Sequence, residues 1–264
     1  MTSLAVIGAG AMGEALLAGW LASGMQPSDI VIVDAHQPRV DDIEERHGVT
    51  GVSLAEAAQA DTVVLAVKPH QVDGILGALR DDLGEETLVV SIAAGVTLGQ
   101  LEAAVPDRAV VRVMPNTPAL VGEGMAGVVR GRHATDEQVD RVKGLMDAVG
   151  KAVVIGEKSL DALTALSGSG PAYLFYVAEA MIEGGVHQGL TRAEATELVN
   201  QTFVGSAAML AETGKTATQL REMVTSPAGT TAAALRTLDD HGVRAAFLDA
   251  IEACRIRGLE MGRE

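Results

Sequence analysis

Unbroken runs of Val, Ile, Leu and Ala recur along the first 158 residues and alternate with amphipathic stretches of helical length. The runs Leu4 to Gly8, Ile30 to Asp34, Thr62 to Val67, Leu88 to Ala93, Val110 to Met114, Gly127 to Arg130 and Ala152 to Ile155 read as strands. Their continuous apolar character suits a parallel sheet buried on both faces. Beyond Gly156 the strand signals stop. The periodicity there predicts helices over roughly 159–188, 191–213, 216–224, 230–240 and 243–262. Gly189, Gly214 and Gly242 fall at expected helix ends, and Thr191 with Glu194 forms a capping-box pattern. The expected organisation is an α/β domain over 1–158 followed by an all-α domain over 159–264.

The first strand runs into Gly8-Ala9-Gly10-Ala11-Met12-Gly13 and then into a helical segment, giving strand, G-x-G-x-x-G, helix. In that context Gly8 permits the tight turn, Gly10 lets a pyrophosphate reach the backbone and Gly13 lets helix and strand pack closely. The second strand ends in Asp34, where a carboxylate can bond ribose hydroxyls and favours NAD(H). Arg39, five residues on, offers instead a partner for a 2′-phosphate, so NADH and NADPH both stay open.

Other candidates fall at strand ends. Lys68-Pro69 places a cation at the carboxyl edge of the sheet, with Pro69 suited to a first helical turn. Ser91-Ile92-Ala93-Ala94-Gly95 and Met114-Pro115-Asn116-Thr117-Pro118 leave room there for a nicotinamide ring. In the helical half, Val224-Thr225-Ser226-Pro227-Ala228-Gly229-Thr230-Thr231 is a hydroxyl-rich loop opening onto a helix. It reads either as a carboxylate site or as an ordinary N-cap. Ser167-Gly168-Ser169-Gly170-Pro171 interrupts a helical stretch, implying close backbone approach there by helix packing across a subunit or domain interface.

Composition narrows the classes. The 264 residues carry 20 basic and 35 acidic side chains, a formal charge of −15, so neither nucleic acid nor an anionic membrane surface is an expected partner. The six aromatic residues are too few for a base-stacking platform. One cysteine allows no internal disulfide, and the histidine spacings give no metal site. No leader or membrane-spanning run stands out, and the expected compartment is the cytoplasm.

Taken in order, Ile7 to Gly13, Ala66-Val67-Lys68-Pro69, Ser91 to Thr97, Met114 to Pro118, Ser167 to Tyr173 and Val224 to Thr231 resemble the pyrroline-5-carboxylate reductase family over essentially the whole chain. The resemblance implies a Rossmann domain with a doubly wound, mostly parallel sheet. It implies a dimerisation domain of the 6-phosphogluconate dehydrogenase C-terminal-like type, interlocking in a homodimer, with dimers often forming a decamer and sharing active sites. By position it implies cofactor contacts from Ile7, Gly8, Ala9, Gly10, Ala11, Met12, Gly13, Asp34, Ser53, Ala66, Val67, Lys68, Pro69 and Ala94. Substrate contacts would come from Val224, Ser226, Gly229, Thr230, Thr231 and Asn116, with Thr231 facing the imine nitrogen as the catalytic residue. The implied reaction is hydride transfer from NADPH or NADH to the C=N carbon of 1-pyrroline-5-carboxylate, giving L-proline, with no metal.

Two positions depart from the family pattern. Ala228 stands where a glycine is usual, so a left-handed backbone there would be strained. Asp34 would repel the 2′-phosphate of the NADPH that many members prefer. Two competing readings have sequence tests. A hydroxyacid dehydrogenase would carry a lysine acid/base early in the second domain, yet none lies between Lys158 and Lys215. A non-catalytic dinucleotide sensor would leave the 226–231 loop idle.

Overall fold

The computed structural model describes residues 3–262. Eight strands form one sheet: β1 (Leu4–Ile7), β2 (Ile30–Val33), β3 (Thr50–Gly51), β4 (Thr62–Leu65), β5 (Leu88–Ser91), β6 (Ala109–Met114), β7 (Gly124–Arg130) and β8 (Gly150–Val154). The helices of this part are α1 (Ala11–Ala22), α2 (Gln37–His47), α3 (Leu54–Ala57), α4 (Pro69–Leu79), α5 (Leu98–Ala104), α6 (Asp136–Asp147) and α7 (Leu160–Leu163). The strand order is β3-β2-β1-β4-β5-β6-β7-β8. All neighbours are parallel except β6 and β7.

The sheet is buried on both faces, which is why its strands lack polar alternation. On one side Leu16, Leu17 and Trp20 of α1 pack with Val142 and Met146 of α6. The Trp20 indole donates to the Leu145 carbonyl at 2.8 Å, so the largest core side chain keeps its polar atom paired. On the other side Leu76 and Leu79 of α4 and Leu101 of α5 cover Val63, Leu65 and Val89. Because β2 and β4 flank β1 on opposite sides, the chain reverses direction across the sheet at β1, and a crevice opens at the carboxyl ends of these strands.

One strand has no counterpart in the sequence pattern and another begins earlier than expected. β3 has only two residues, one of them Gly51, too short to give a pattern. β7 begins at Gly124, upstream of the expected Gly127, because Gly124 and Gly150 pass too closely for any side chain: a Cβ on Gly150 would lie 2.0 Å from the Gly124 oxygen.

Packing divides the described chain into residues 3–169 with 254–262, and residues 170–253. That division falls later than the expected boundary at 158/159. Leu160 and Ala165 are fully buried, and Arg112 on β6 donates from Nη1 to Glu157 at 2.6 Å, tying the segment after β8 to the sheet. After α7 the helix widens into a π turn over Thr164–Gly168. The Asn116 side chain donates to the Ser167 carbonyl at 2.9 Å, and the Met114 methyl would lie 3.1 Å from a Cβ on Gly168. At Ser167 and Gly168 the close neighbour is the β6 edge of the same unit, whereas a Cβ on Gly170 would meet nothing within 4 Å, and Pro171 sits in the first turn of the next helix.

The second unit contains α8 (Gly170–His187), α9 (Arg192–Glu212), α10 (Ala217–Met223), α11 (Thr230–Asp240) and the start of α12 (Val243–Met261). Gly189, Gly214 and Gly242 have positive φ, and the Thr191–Glu194 capping box is formed. α8 and α9 approach closely through Gly185 and Ala195. Only Ala195 and Val199 of these helices are buried, while Leu174, Phe175, Tyr176, Leu198, Val204 and Leu248 are each more than half exposed. Apolar surface of this extent on a single chain is built to be covered.

Candidate active site

The crevice at the sheet's carboxyl edge is a cleft of about 760 Å³. Its floor is the end of five strands: Ile7 and Gly8 at the end of β1, Val33, Asp34 and Ala35 at the end of β2, Ala66 to Lys68 after β4, Ile92 to Ala94 after β5, and Met114 and Pro115 at the end of β6. Gly10, Ala11 and Met12 close one side.

The three motif glycines do different work. Gly8 has φ +102, and a Cβ there would meet the Ala66 carbonyl oxygen at 2.6 Å. A Cβ on Gly13 would meet the Gly8 oxygen at 2.1 Å, so helix and strand touch backbone to backbone. Gly10 meets nothing within 4 Å: its missing side chain leaves open space in the cleft wall. Gly10 is also the N-cap of α1 and supplies no side-chain cap, leaving the first helical N–H groups available to an anion. A smooth turn, an uncapped helix start and an apolar crevice beside them fit a dinucleotide.

Asp34 lines the cleft, and its carboxylate is fixed from the protein side. Oδ2 accepts from the Ala9 N–H at 2.8 Å and Oδ1 from the His36 N–H at 2.9 Å. Lys68 also lines the cleft as the N-cap of α4, where its N–H donates to the Gln71 side chain at 3.1 Å.

Several of the expected contact residues fall outside the cleft lining. Ala9 and Gly13 are buried beneath the turn they support, and Pro69 opens α4 outside the cleft lining. Ser53 caps α3, exchanging hydrogen bonds with Glu56, and it is the neighbouring Leu54 that lines the cleft. Asn116 is held at both ends of its amide: Nδ2 donates to the Ser167 carbonyl and Oδ1 accepts from the Met125 N–H at 2.8 Å. Sequence reasoning missed Leu54, Ile75 and Leu120 as lining residues. Leu120 is 56% exposed, an apolar excess on a short 3₁₀ turn that is itself a visible signal.

The 224–231 segment belongs to the second unit. α11 starts at Thr230 with Gly229 as an N-cap that supplies no side-chain bond, so its first N–H groups are open alongside the Thr230 and Thr231 hydroxyls. A Cβ on Gly229 would lie 2.4 Å from Ser226 Oγ, which fixes glycine there. Ala228 has φ +58, the only positive value for a non-glycine residue among the described residues. Val224, Ser226, Gly229, Thr230 and Thr231 are therefore neighbours along one turn and helix start. Among the described residues, no three His, Cys, Asp or Glu side chains gather as a metal site, and no helix is long and apolar enough to cross a membrane.

Comparison with known proteins agrees with this arrangement. The family profile described as pyrroline-5-carboxylate reductase dimerisation matches residues 157–261, and that of NADP oxidoreductase, coenzyme F420-dependent, matches residues 3–95. The pyrroline-5-carboxylate reductase of Corynebacterium melassecola is 44% identical, with 100% of both chains covered. A solved pyrroline-5-carboxylate reductase from Coxiella burnetii superposes with a TM-score of 0.94 at 37% identity, covering 99% of each chain. The Plasmodium falciparum enzyme, solved with NADP bound, gives 0.88 at 30% identity, covering 99% of this chain and 98% of that one. The chain belongs to the pyrroline-5-carboxylate reductase family.

Proposed function

We propose that the cleft holds the dinucleotide and that the loop before α11 holds the substrate of an NAD(P)H-dependent reduction of 1-pyrroline-5-carboxylate to L-proline. The observation that carries the dinucleotide assignment is Gly10: its side of the cleft is open within 4 Å, beside an uncapped helix start. The reduced nicotinamide supplies a hydride. A Cβ branch at Gly10 would enter the cleft without striking the protein, so Gly10→Val should melt like the parent yet lose NADH binding in a fluorescence titration. Retained binding would remove the turn from the cofactor site.

The chain's own contribution is placement. Ala94, Ile92 and Met114 give small and apolar walls to one end of the cleft. The open N–H groups of Thr230 and Thr231, with the Ser226 hydroxyl, suit a carboxylate without a cationic side chain. The cyclic imine nitrogen, when protonated, already draws electrons from its carbon, so hydride addition there needs no strong acid from the protein. Thr231 orients that nitrogen through its hydroxyl, which is neutral and a poor proton donor. Holding the reacting carbon in place supplies most of the acceleration.

The functional division we assign is dinucleotide binding to residues 1–158 and dimerisation with substrate binding to 159–264. The exposed apolar side chains of α8, α9 and α12 support a homodimer through the helical half. A decamer built from such dimers and a cytoplasmic location complete the reading; the acid-rich composition and the lone cysteine accord with the latter.

A further inference from the structure

Behind the glycine-rich turn lies a charged cluster that the reaction does not use. Arg39, in the first turn of α2, engages all three of its side-chain nitrogens. Nε donates to the Ala9 carbonyl at 2.7 Å, Nη1 to Asp42 at 2.7 Å, and Nη2 to Glu14. Glu14, in the first turn of α1, is held in turn by Arg46 and by His47, the latter at 3.3 Å. Asp42 bridges Arg39 and Arg46. Two guanidinium groups thus face two carboxylates, while Asp34 touches only backbone N–H groups among the described residues. Neither Glu14 nor Asp42 lines the cleft.

The same residue, Ala9, joins the two halves of this arrangement: its N–H is bound by Asp34 and its carbonyl by Arg39. Arg39, itself outside the cleft lining, is therefore the cation joined through Ala9 to Asp34, the carboxylate that the dinucleotide reading sets at the adenosine ribose. A 2′-phosphate on that ribose requires a guanidinium fork with donors to spare. Here the fork already faces two carboxylates, and its charge is matched.

We propose that Glu14 is a specificity-determining positioning residue: by occupying and neutralising Arg39, it makes the cleft select the dinucleotide that lacks a 2′-phosphate. This deepens the reading of the cleft as a dinucleotide site and rests on it. The amide of Glu14→Gln keeps the shape and removes one negative charge. Freed of that charge, Arg39 can offer Nη2 outward.

Calorimetric titration with ADP-ribose and 2′-phospho-ADP-ribose tests this without turnover. The parent should bind ADP-ribose more tightly. In Glu14→Gln the affinity ratio should move toward the 2′-phosphate by about tenfold, the scale of one charge-assisted hydrogen bond, with ADP-ribose itself changed less than about twofold. The double variant Glu14→Gln with Arg39→Gln should return the ratio to that of the parent. A ratio unmoved in Glu14→Gln, or a shift that survives loss of Arg39, overturns the proposal while leaving the dinucleotide site intact. Failure of the parent to bind either compound overturns the site reading and the proposal with it. Should Glu14→Gln not fold, Asp42→Asn removes the other carboxylate from an exposed position and must shift the ratio in the same direction.

Discussion

The Cβ that Gly13 lacks would stand 2.1 Å from the carbonyl oxygen of Gly8, so the first helix meets the first strand with no room for a side chain. Gly13→Ala must push α1 off the turn and drag Gly10 with it. We expect a loss of about 1–3 kcal/mol in stability, typical of overpacking, and at least a tenfold weaker NADH Kd. Urea unfolding and a fluorescence titration check both; parent-like values in each would show that helix and strand can separate without cost.

Ala228 adopts φ +58, a conformation that costs an L residue with a Cβ roughly 1 kcal/mol relative to glycine. Ala228→Gly should relieve that strain. Because glycine also loses more entropy on folding, the net gain in unfolding free energy should be about 0.5 kcal/mol. The KM for the imine should change little, since the loop keeps its shape. A drop in stability would mean that Ala228 makes contacts worth more than its strain.

Thr231→Ala removes the hydroxyl assigned to the imine nitrogen but leaves the α11 N–H groups. Turnover should fall about tenfold, the worth of one hydrogen bond of about 1.4 kcal/mol. NADH affinity should be unchanged. Steady-state kinetics with parallel NADH titration separates these; an unaltered kcat would return the role to another group.

Glu14 gives the fold an acid-sensitive element. Partial burial pushes its carboxyl up, but hydrogen bonds from Arg46, Arg39 and His47 outweigh this and hold it at about 2, below the usual 4.5. A carboxyl depressed in the folded state contributes stability that is complete above its unfolded value and is lost as pH falls through the folded one. Melting curves of Glu14→Gln should therefore converge on those of the parent as pH drops from about 4.5 toward 2. A constant gap over that window would show that Glu14 stays ionised or contributes nothing through its charge.

Much of this was legible in the sequence because local signals agreed with the tertiary result. The strand, glycine turn and helix at Leu4 to Trp20 announced the cleft, and Thr191 with Glu194 announced the start of α9. What escaped were features set by partners distant in sequence. The bonds that hold the Asn116 amide reach Ser167 and Met125, 51 and 9 residues away. Ser53 turned out to cap α3. The π turn at Thr164–Gly168 has no periodic signature, and the Arg39–Glu14 bond links residues on two different helices. The left-handed angle at Ala228 is legible only through the resemblance, which implies a glycine at that position.

The most direct test mixes the purified protein with 1-pyrroline-5-carboxylate and follows the absorbance of NADH and NADPH in parallel, with a six-membered cyclic imine and a 3-hydroxy acid as comparisons. The expected result is dinucleotide oxidation matched by L-proline formation with the five-membered imine, faster with NADH than with NADPH. Dinucleotide binding with no turnover of that imine would contradict it.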